Sequence, residues 1–226
     1  MSDHEAAGGG VEERAALLLA VRRAGVRDIS VMRAIEAVAR EEFVPYRYRD
    51  LANRNISLPL GCGQTMSRPA GIARRIEALR VGRGHRVLEI GTGSGYGTAI
   101  LGQLAKEVVS LERFATLAIE AARRLEGLGV DNVRVIQADG LSPDPELGVF
   151  DRILLQAALA APPKELLSRL APDGTLVYVL SEKKAGEKRP RQRLIKLDYN
   201  ERGALHETDL GPHSLGVAAF GLAKSL

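Results

Sequence analysis

The run VLEIGTGSGY, residues 87–96, constrains the fold of this chain more than any other stretch. Its apolar start suits a short strand buried on both faces of a parallel sheet. It then passes through alternate glycines, Gly91, Gly93 and Gly95, into a helical pattern. Glycines at such a turn permit a tight reversal and let backbone N–H groups approach a ligand closely. From there the grammar is regular. Helix YGTAILGQLA is followed by strand KEVVSLE, helix ATLAIEAARRLEGLG, and strands VRVIQAD, FDRILLQ and GTLVYVL, with helix PKELLSRLA before the last. Strands alternating with helices predict an α/β fold, a mostly parallel sheet with helices on both faces.

The flanks add to this frame. Residues 1–10 read as a loose tail, and residues 11–80 as N-terminal helices plus a loop. VEERAALLLAVRRAG and DISVMRAIEAVAREEF both carry apolar residues at helical spacing, with Gly25 between them, Asp28 as an N-cap and Pro45 just beyond the end. Pro45 to Gly71 predicts irregular structure with short strands, and AGIARRIEALRV a helix ended by the Gly82–Gly84 turn. Residues 81–182 form the strand–helix core. In 183–226, the basic run KKAGEKRPRQR reads as a solvated loop or hairpin connection. RLIKLDY and GVAAFGLA then predict two strands without an intervening helix, hence an antiparallel C-terminal edge. A chain of 226 residues suits one domain spanning 1–226.

Several function classes are disfavoured by composition. The single cysteine, Cys62, excludes an internal disulfide and a cysteine-built metal cage. Its two readings are a small buried filler and a nucleophile. His4, His85, His206 and His213 are scattered and read as surface or structural residues, so no metal site is expected. The first residues lack a basic region followed by an apolar run, and no apolar span reaches the roughly 20 residues of a membrane helix. The expectation is a soluble cytoplasmic protein with no membrane partner. A pI near 9.4 is compatible with nucleic acid but does not point to it. No feature sets an oligomeric state.

The glycine turn defines a nucleotide site, comprising Gly91, Thr92, Gly93 and Gly95. About twenty residues on, Glu112 ends the next strand, where a carboxylate can hold both hydroxyls of a ribose. The spacing G-x-G-x-G differs from the pyrophosphate-binding G-x-G-x-x-G. Glu89 stands two residues before Gly91, where it would repel a pyrophosphate but suits a sulfonium and an amino group. The following strand ends in QADG, so Asp139 and Gly140 are placed to meet an adenine amine. Acids after successive strands favour S-adenosylmethionine over a dinucleotide.

One further stretch is specific. LPLGCGQTMSRP, taken with VLEIGTGSGYGTAIL, NVRVIQADG, FDRILLQAAL and EEFVPYRYRDLA, strongly resembles the protein-L-isoaspartate O-methyltransferase family from about residue 40 to 180. The resemblance implies a Rossmann-like S-adenosylmethionine-dependent fold decorated by N-terminal helices and a substrate loop. It implies methyl transfer to the free carboxylate of L-isoaspartyl residues in damaged proteins and peptides. The family's loop serine maps onto Ser67, with Thr65 and Gln64 beside it as substrate-binding residues. The chain departs from the family at Arg68-Pro69-Ala70, at LQAALAAPP after the fourth strand, and at the C-terminal HSLGVAAFGLAKSL.

The chemistry agrees with that assignment on independent grounds. A carboxylate of pKa near ~4 is ionised at neutral pH and needs no general base to accept a methyl group. It needs alignment and a dry site, in which hydroxyl donors such as Thr65 and Ser67 can hold it without protonating it. Ser67 has a second reading, as cap of the helix that starts near Pro69. The alternatives are a paralogue methylating another carboxylate, a nucleic-acid methyltransferase, and a non-catalytic cofactor-binding protein. LQAALAAPP has no Asn or Asp and no aromatic to grip a flipped base, so nucleic acid is an unlikely partner.

Overall fold

The computed structural model describes residues 3–183, 186–199 and 203–223, with side chains from residue 11 onward. A seven-stranded sheet runs in the order β5-β4-β3-β6-β7-β8-β9. Its strands are β3 (Arg86–Ile90), β4 (Glu107–Glu112), β5 (Val133–Gln137), β6 (Phe150–Leu159), β7 (Leu170–Glu182), β8 (Arg191–Tyr199) and β9 (Leu205–Pro212). Strands β3 to β7 pair parallel, and β8 and β9 add antiparallel at one edge. A separate two-stranded hairpin, β1 (Leu58–Pro59) and β2 (Thr65–Met66), precedes the sheet.

Alternation along the strands sorts the core into two layers. Val87, Val108, Leu154, Val177 and Val179 face one layer, which α1 (Asp3–Arg23), α2 (Ile29–Ala37), α3 (Pro69–Leu79) and α4 (Tyr96–Leu104) cover. Leu88, Val109, Leu111, Ile153, Leu155 and Leu176 face the other. That layer is closed by Leu141, Leu147 and Leu166, the last on the single turn α6 (Lys164–Leu167). The helix expected over PKELLSRLA is therefore short. Pro162 and Pro163 mark its start, and β7 begins already at Leu170. Between β4 and β5 lies α5 (Ala115–Gly127), whose Leu125 joins the first layer.

Other expectations are also corrected. Residues 3–10 belong to α1 where a loose tail was expected, across three consecutive glycines for which local propensity gives no account. Asp28 caps α2 by accepting from the N–H of Ser30 and Val31, as predicted, but α2 stops at Ala37 instead of Phe43. The break at Val38 and Ala39 turns Arg40 into the interior, where it bonds main-chain carbonyls from the following loop. Helix α3 ends on Arg80 in the left-handed conformation, just before the Gly82–Gly84 turn.

The last strand is LHETDLGP, not GVAAFGLA. Strand β9 is an edge strand held by its ladder to β8 and by a cross-strand ion pair of Arg193 with Asp209. Charged edges of this kind carry no apolar run to betray them. Residues 216–223 instead cross the carboxyl ends of the parallel strands, making a bridge between Val217 and Ala158. The basic connection between β7 and β8 is a hairpin link, of which residues 184 and 185 lie outside the described residues.

Candidate active site

A cleft opens at the carboxyl ends of β3, β4, β5 and β6, where chain connections leave β3 in opposite directions, the position at which open α/β sheets bind ligands. Its floor is the glycine turn. Gly91 and Gly93 take φ of 95° and 57°, a region closed to most side chains, and Gly91 N–H bonds Leu111 O at 2.7 Å. Gly91, Thr92, Gly93 and Ser94 line the cleft. Thr92 Oγ1 is tied to Ser110 Oγ at 2.6 Å, which fixes the turn to β4.

Two acids stand where the sequence placed them. Glu112 accepts from Gly93 N–H at 2.9 Å and Phe114 N–H at 3.1 Å, and it lines the cleft beside Phe114 and Leu117. A carboxylate has about four lone-pair sites, so two remain for a ribose diol. Asp139 accepts from Leu141 N–H and from Gly221 N–H, fastening the C-terminal segment to the β5 loop. Gly140 lies against Ile90, where an added Cβ would fall 2.3 Å from Ile90 Cγ2. Ile90, Leu111, Leu141 and Leu155 supply an apolar wall suited to a flat base.

Two predicted cofactor residues do not reach the cleft. Glu89 is fully enclosed under the turn, and its carboxylate accepts from Thr98 Oγ1 (2.5 Å), Ser110 Oγ (2.7 Å) and Gln156 Nε2 (2.8 Å). Strand alternation points it at helix α4, away from a bound ligand. Burial raises its pKa, against those hydrogen bonds and the nearby Arg75 charge. Gly95 is the left-handed N-cap of α4, and an added Cβ there would press on Ala121, Phe43 and Leu125. Both residues shape the turn from behind.

The opposite wall is the hairpin loop that carries Gln64, Thr65 and Ser67. Gly61-Cys62-Gly63-Gln64 makes a turn in which Cys62 and Gly63 have φ of 56° and 64°, as a two-residue type I′ hairpin turn requires. Cys62 is thus a half-exposed turn residue and not a core filler, and partial burial raises its thiol pKa. Strand β2 presents Thr65 outward and buries Met66, and Gln64, Thr65 and Ser67 all line the cleft. Ser67 does not cap α3. Arg68 holds the N-cap position without a side-chain bond, and Asn55 Oδ1 takes the Ala70 N–H instead at 3.0 Å. The Thr65 and Ser67 hydroxyls have no hydrogen-bond partner among the described residues, so both are available to a ligand.

Sequence reasoning missed a buried chain of groups behind the cleft. Gln156, just past the middle of β6, accepts from Arg75 Nε at 2.8 Å through its amide oxygen and donates through Nε2 to Glu89. Arg75 Nη1 meets His213 Nε2 at 2.7 Å. Burial, then the charges of Arg75, Arg74 and Arg68, lower His213 to about 3, and burial lowers Arg75 to about 9. At neutral pH the arginine is charged and the imidazole is not. The legible signal was Arg75 itself, a cation on the apolar stripe of Ile72, Ile76 and Leu79. Val217, Ala218 and Ala219 complete the cleft rim, which no strand assignment for GVAAFGLA could supply. No cluster of three or more metal-ligating side chains occurs among the described residues.

Sheet order, glycine turn and ribose-placed acid together define a Rossmann-like domain of the S-adenosylmethionine-dependent methyltransferase class. The sequence matches the family described as protein-L-isoaspartate(D-aspartate) O-methyltransferase over residues 12–210, and the chain belongs to that family. A relative from Rhodopseudomonas palustris (strain HaA2), named protein-L-isoaspartate O-methyltransferase 2, is 44% identical over 195 residues, 86% of this chain and 88% of the relative. A solved protein-L-isoaspartate O-methyltransferase superposes with a TM-score of 0.77 at 26% identity, covering 92% of this chain and 67% of that one. A putative Plasmodium falciparum enzyme of the same name, solved in complex with S-adenosyl-L-homocysteine, shares the fold with a TM-score of 0.73 at 22% identity, over 89% and 96% of the two chains.

Proposed function

We propose that this chain methylates the free carboxylate of L-isoaspartyl residues in damaged proteins and peptides, using S-adenosylmethionine. The observation that carries the reading is the pair of unengaged hydroxyls, Thr65 and Ser67, on a cleft whose opposite side is the glycine turn. The cofactor supplies a methyl group on a positively charged sulfur. Gly91, Thr92 and Gly93 give it a close backbone approach, Glu112 its ribose contact, and Asp139 and Gly140 the edge of its base.

The acceptor carboxylate arrives ionised, so Thr65 and Ser67 act by orientation. Each donates a hydrogen bond to a carboxylate oxygen without transferring a proton, and Gln64 borders the same subsite. Negative charge on the acceptor disappears as the ester forms, so the apolar rim of Leu60, Met66, Val217 and Ala218 favours the product side of the reaction. Its partners are isoaspartyl-bearing chains. The chain is taken as one catalytic domain acting in the cytoplasm, a placement supported by the lone cysteine and by the lack, among the described residues, of a helix long and apolar enough to cross a membrane.

The test separates turnover from cofactor binding. Ser67→Ala is expected to lower kcat/KM on an isoaspartyl peptide by about 10-fold or more, with S-adenosylhomocysteine affinity kept within about twofold, since one charge-assisted hydrogen bond is lost. Equal losses in both would assign Ser67 to the scaffold and remove it from the site.

A further inference from the structure

Arg75 is only 1% exposed, yet it borders the cleft. Its contacts within the protein are neutral. Nε donates to the Gln156 amide oxygen, Nη1 donates to His213 Nε2, and Nη2 has no hydrogen-bond partner among the described residues. The carboxylate of its network, Glu89, is one side chain away, on the far end of the Gln156 amide. Arginine only donates, so His213 must accept through Nε2. Its Nδ1 then carries the hydrogen and sits buried without a partner.

This is a costly way to fill a core position. A buried ion pair is often replaceable by apolar residues without loss, and here the two charges do not even touch. What the arrangement does achieve is geometric. Gln156 is gripped at both ends, and its side chain abuts the glycine turn, 3.3 Å from where a Cβ on Gly91 would lie and 2.9 Å from one on Gly97. Through it the guanidinium is held in one orientation behind the floor of the cleft, with one donor edge uncommitted.

We propose that Arg75 is the carboxylate receptor of this cleft, offering Nη2 to a carboxylate oxygen of a bound ligand. Two ligands of the reaction proposed above carry that group, the amino-acid end of the cofactor and the isoaspartyl acceptor. The inference rests on that reaction only for the second. Gln156 and His213 are positioning residues, since they act on the ligand through Arg75.

The experiment compares wild type, Arg75→Met and Arg75→Lys as full chains. S-adenosylhomocysteine keeps the carboxylate, whereas 5′-methylthioadenosine keeps the adenosine and sulfur without it. If the receptor serves the cofactor, Arg75→Met weakens S-adenosylhomocysteine about 10- to 100-fold and leaves methylthioadenosine within about twofold. If it serves the acceptor, the peptide KM rises by the same factor while both nucleoside affinities hold. Arg75→Lys recovers part of either loss.

Unchanged values throughout, or parallel loss of both nucleosides, overturn the proposal. Should Arg75→Met not fold, Arg75→Lys is put through the same comparison, where a selective loss of S-adenosylhomocysteine over methylthioadenosine, or a rise in peptide KM alone, sustains the proposal, and values all within about twofold of wild type overturn it. A wild type that forms no ester on isoaspartyl peptide would refute the proposed reaction, while the nucleoside comparison would still report on Arg75.

Discussion

Replacing Arg40 should loosen the substrate loop and lower the stability of the whole domain. Arg40 is 1% exposed, and its fork donates to Ala52 O (2.8 Å), Arg54 O (2.9 Å), Ile56 O (3.0 Å) and, at 3.4 Å, Ser67 O. One guanidinium thus fastens the chain from residue 52 to the loop serine. In Arg40→Met the buried charge leaves together with its desolvation cost, which already lowers Arg40 to about 10. What remains is the Ala52 carbonyl, on a fully buried residue, while Arg54 and Ile56 are exposed enough for water to replace the lost donor. One stranded carbonyl costs about 1–3 kcal/mol, and the broken charge-assisted bonds bring the total to about 2–4 kcal/mol. For a chain of this size that is a fall in Tm of about 5–15 °C. Urea unfolding followed by circular dichroism gives the free energy, and a peptide titration gives KM. KM should rise as Ser67 loses its anchor, with cofactor affinity little changed. Arg40→Lys should recover little, because a point charge cannot span the fork. A loss below about 1 kcal/mol with unchanged KM would refute the reasoning from the stranded carbonyl.

Two other perturbations test neighbouring parts of the site. Gly140→Ala forces a Cβ to within 2.3 Å of Ile90 Cγ2, so it should cost about 1–3 kcal/mol and weaken S-adenosylhomocysteine in calorimetric titration, and unchanged binding would show that Ile90 moves freely. His213 has a folded pKa of about 3 against an ordinary 6.5, so as pH falls through that interval the unfolded chain takes up a proton that the folded chain refuses, and stability is lost. His213→Gln keeps an acceptor for Arg75 without titrating, and its unfolding free energy should fall less steeply than that of wild type over the same interval. Identical slopes would place the acid sensitivity elsewhere.

The cleft residues that were legible in the sequence are those defined by short spacings along the chain. The glycine turn, Glu112 at the end of the next strand and the Thr65–Ser67 loop are each written within about twenty residues, and each lines the cleft. Glu89 shows where such reasoning stops. Spacing put it at the carboxyl-terminal end of β3, but the face it occupies depends on strand alternation relative to helix α4, and there it is buried and bonded to Thr98 and Ser110, outside the cleft lining. The Arg75–Gln156 and Arg75–His213 bonds join residues 81 and 138 positions apart, separations that no local pattern encodes. Strand β9 escaped for a different reason. An edge strand needs ladder hydrogen bonds and charges, not an apolar run, whereas apolar GVAAFGLA found its burial as the cleft rim.

The central claim concerns which acceptor the cleft serves. It is tested most directly by incubating the protein with methyl-labelled S-adenosylmethionine and, separately, an isoaspartyl peptide, its normal aspartyl counterpart and total RNA. The account predicts a base-labile methyl ester on the isoaspartyl peptide and no label on the other two. Label on RNA or on the aspartyl peptide, or none on the isoaspartyl peptide while cofactor binding is intact, would contradict it.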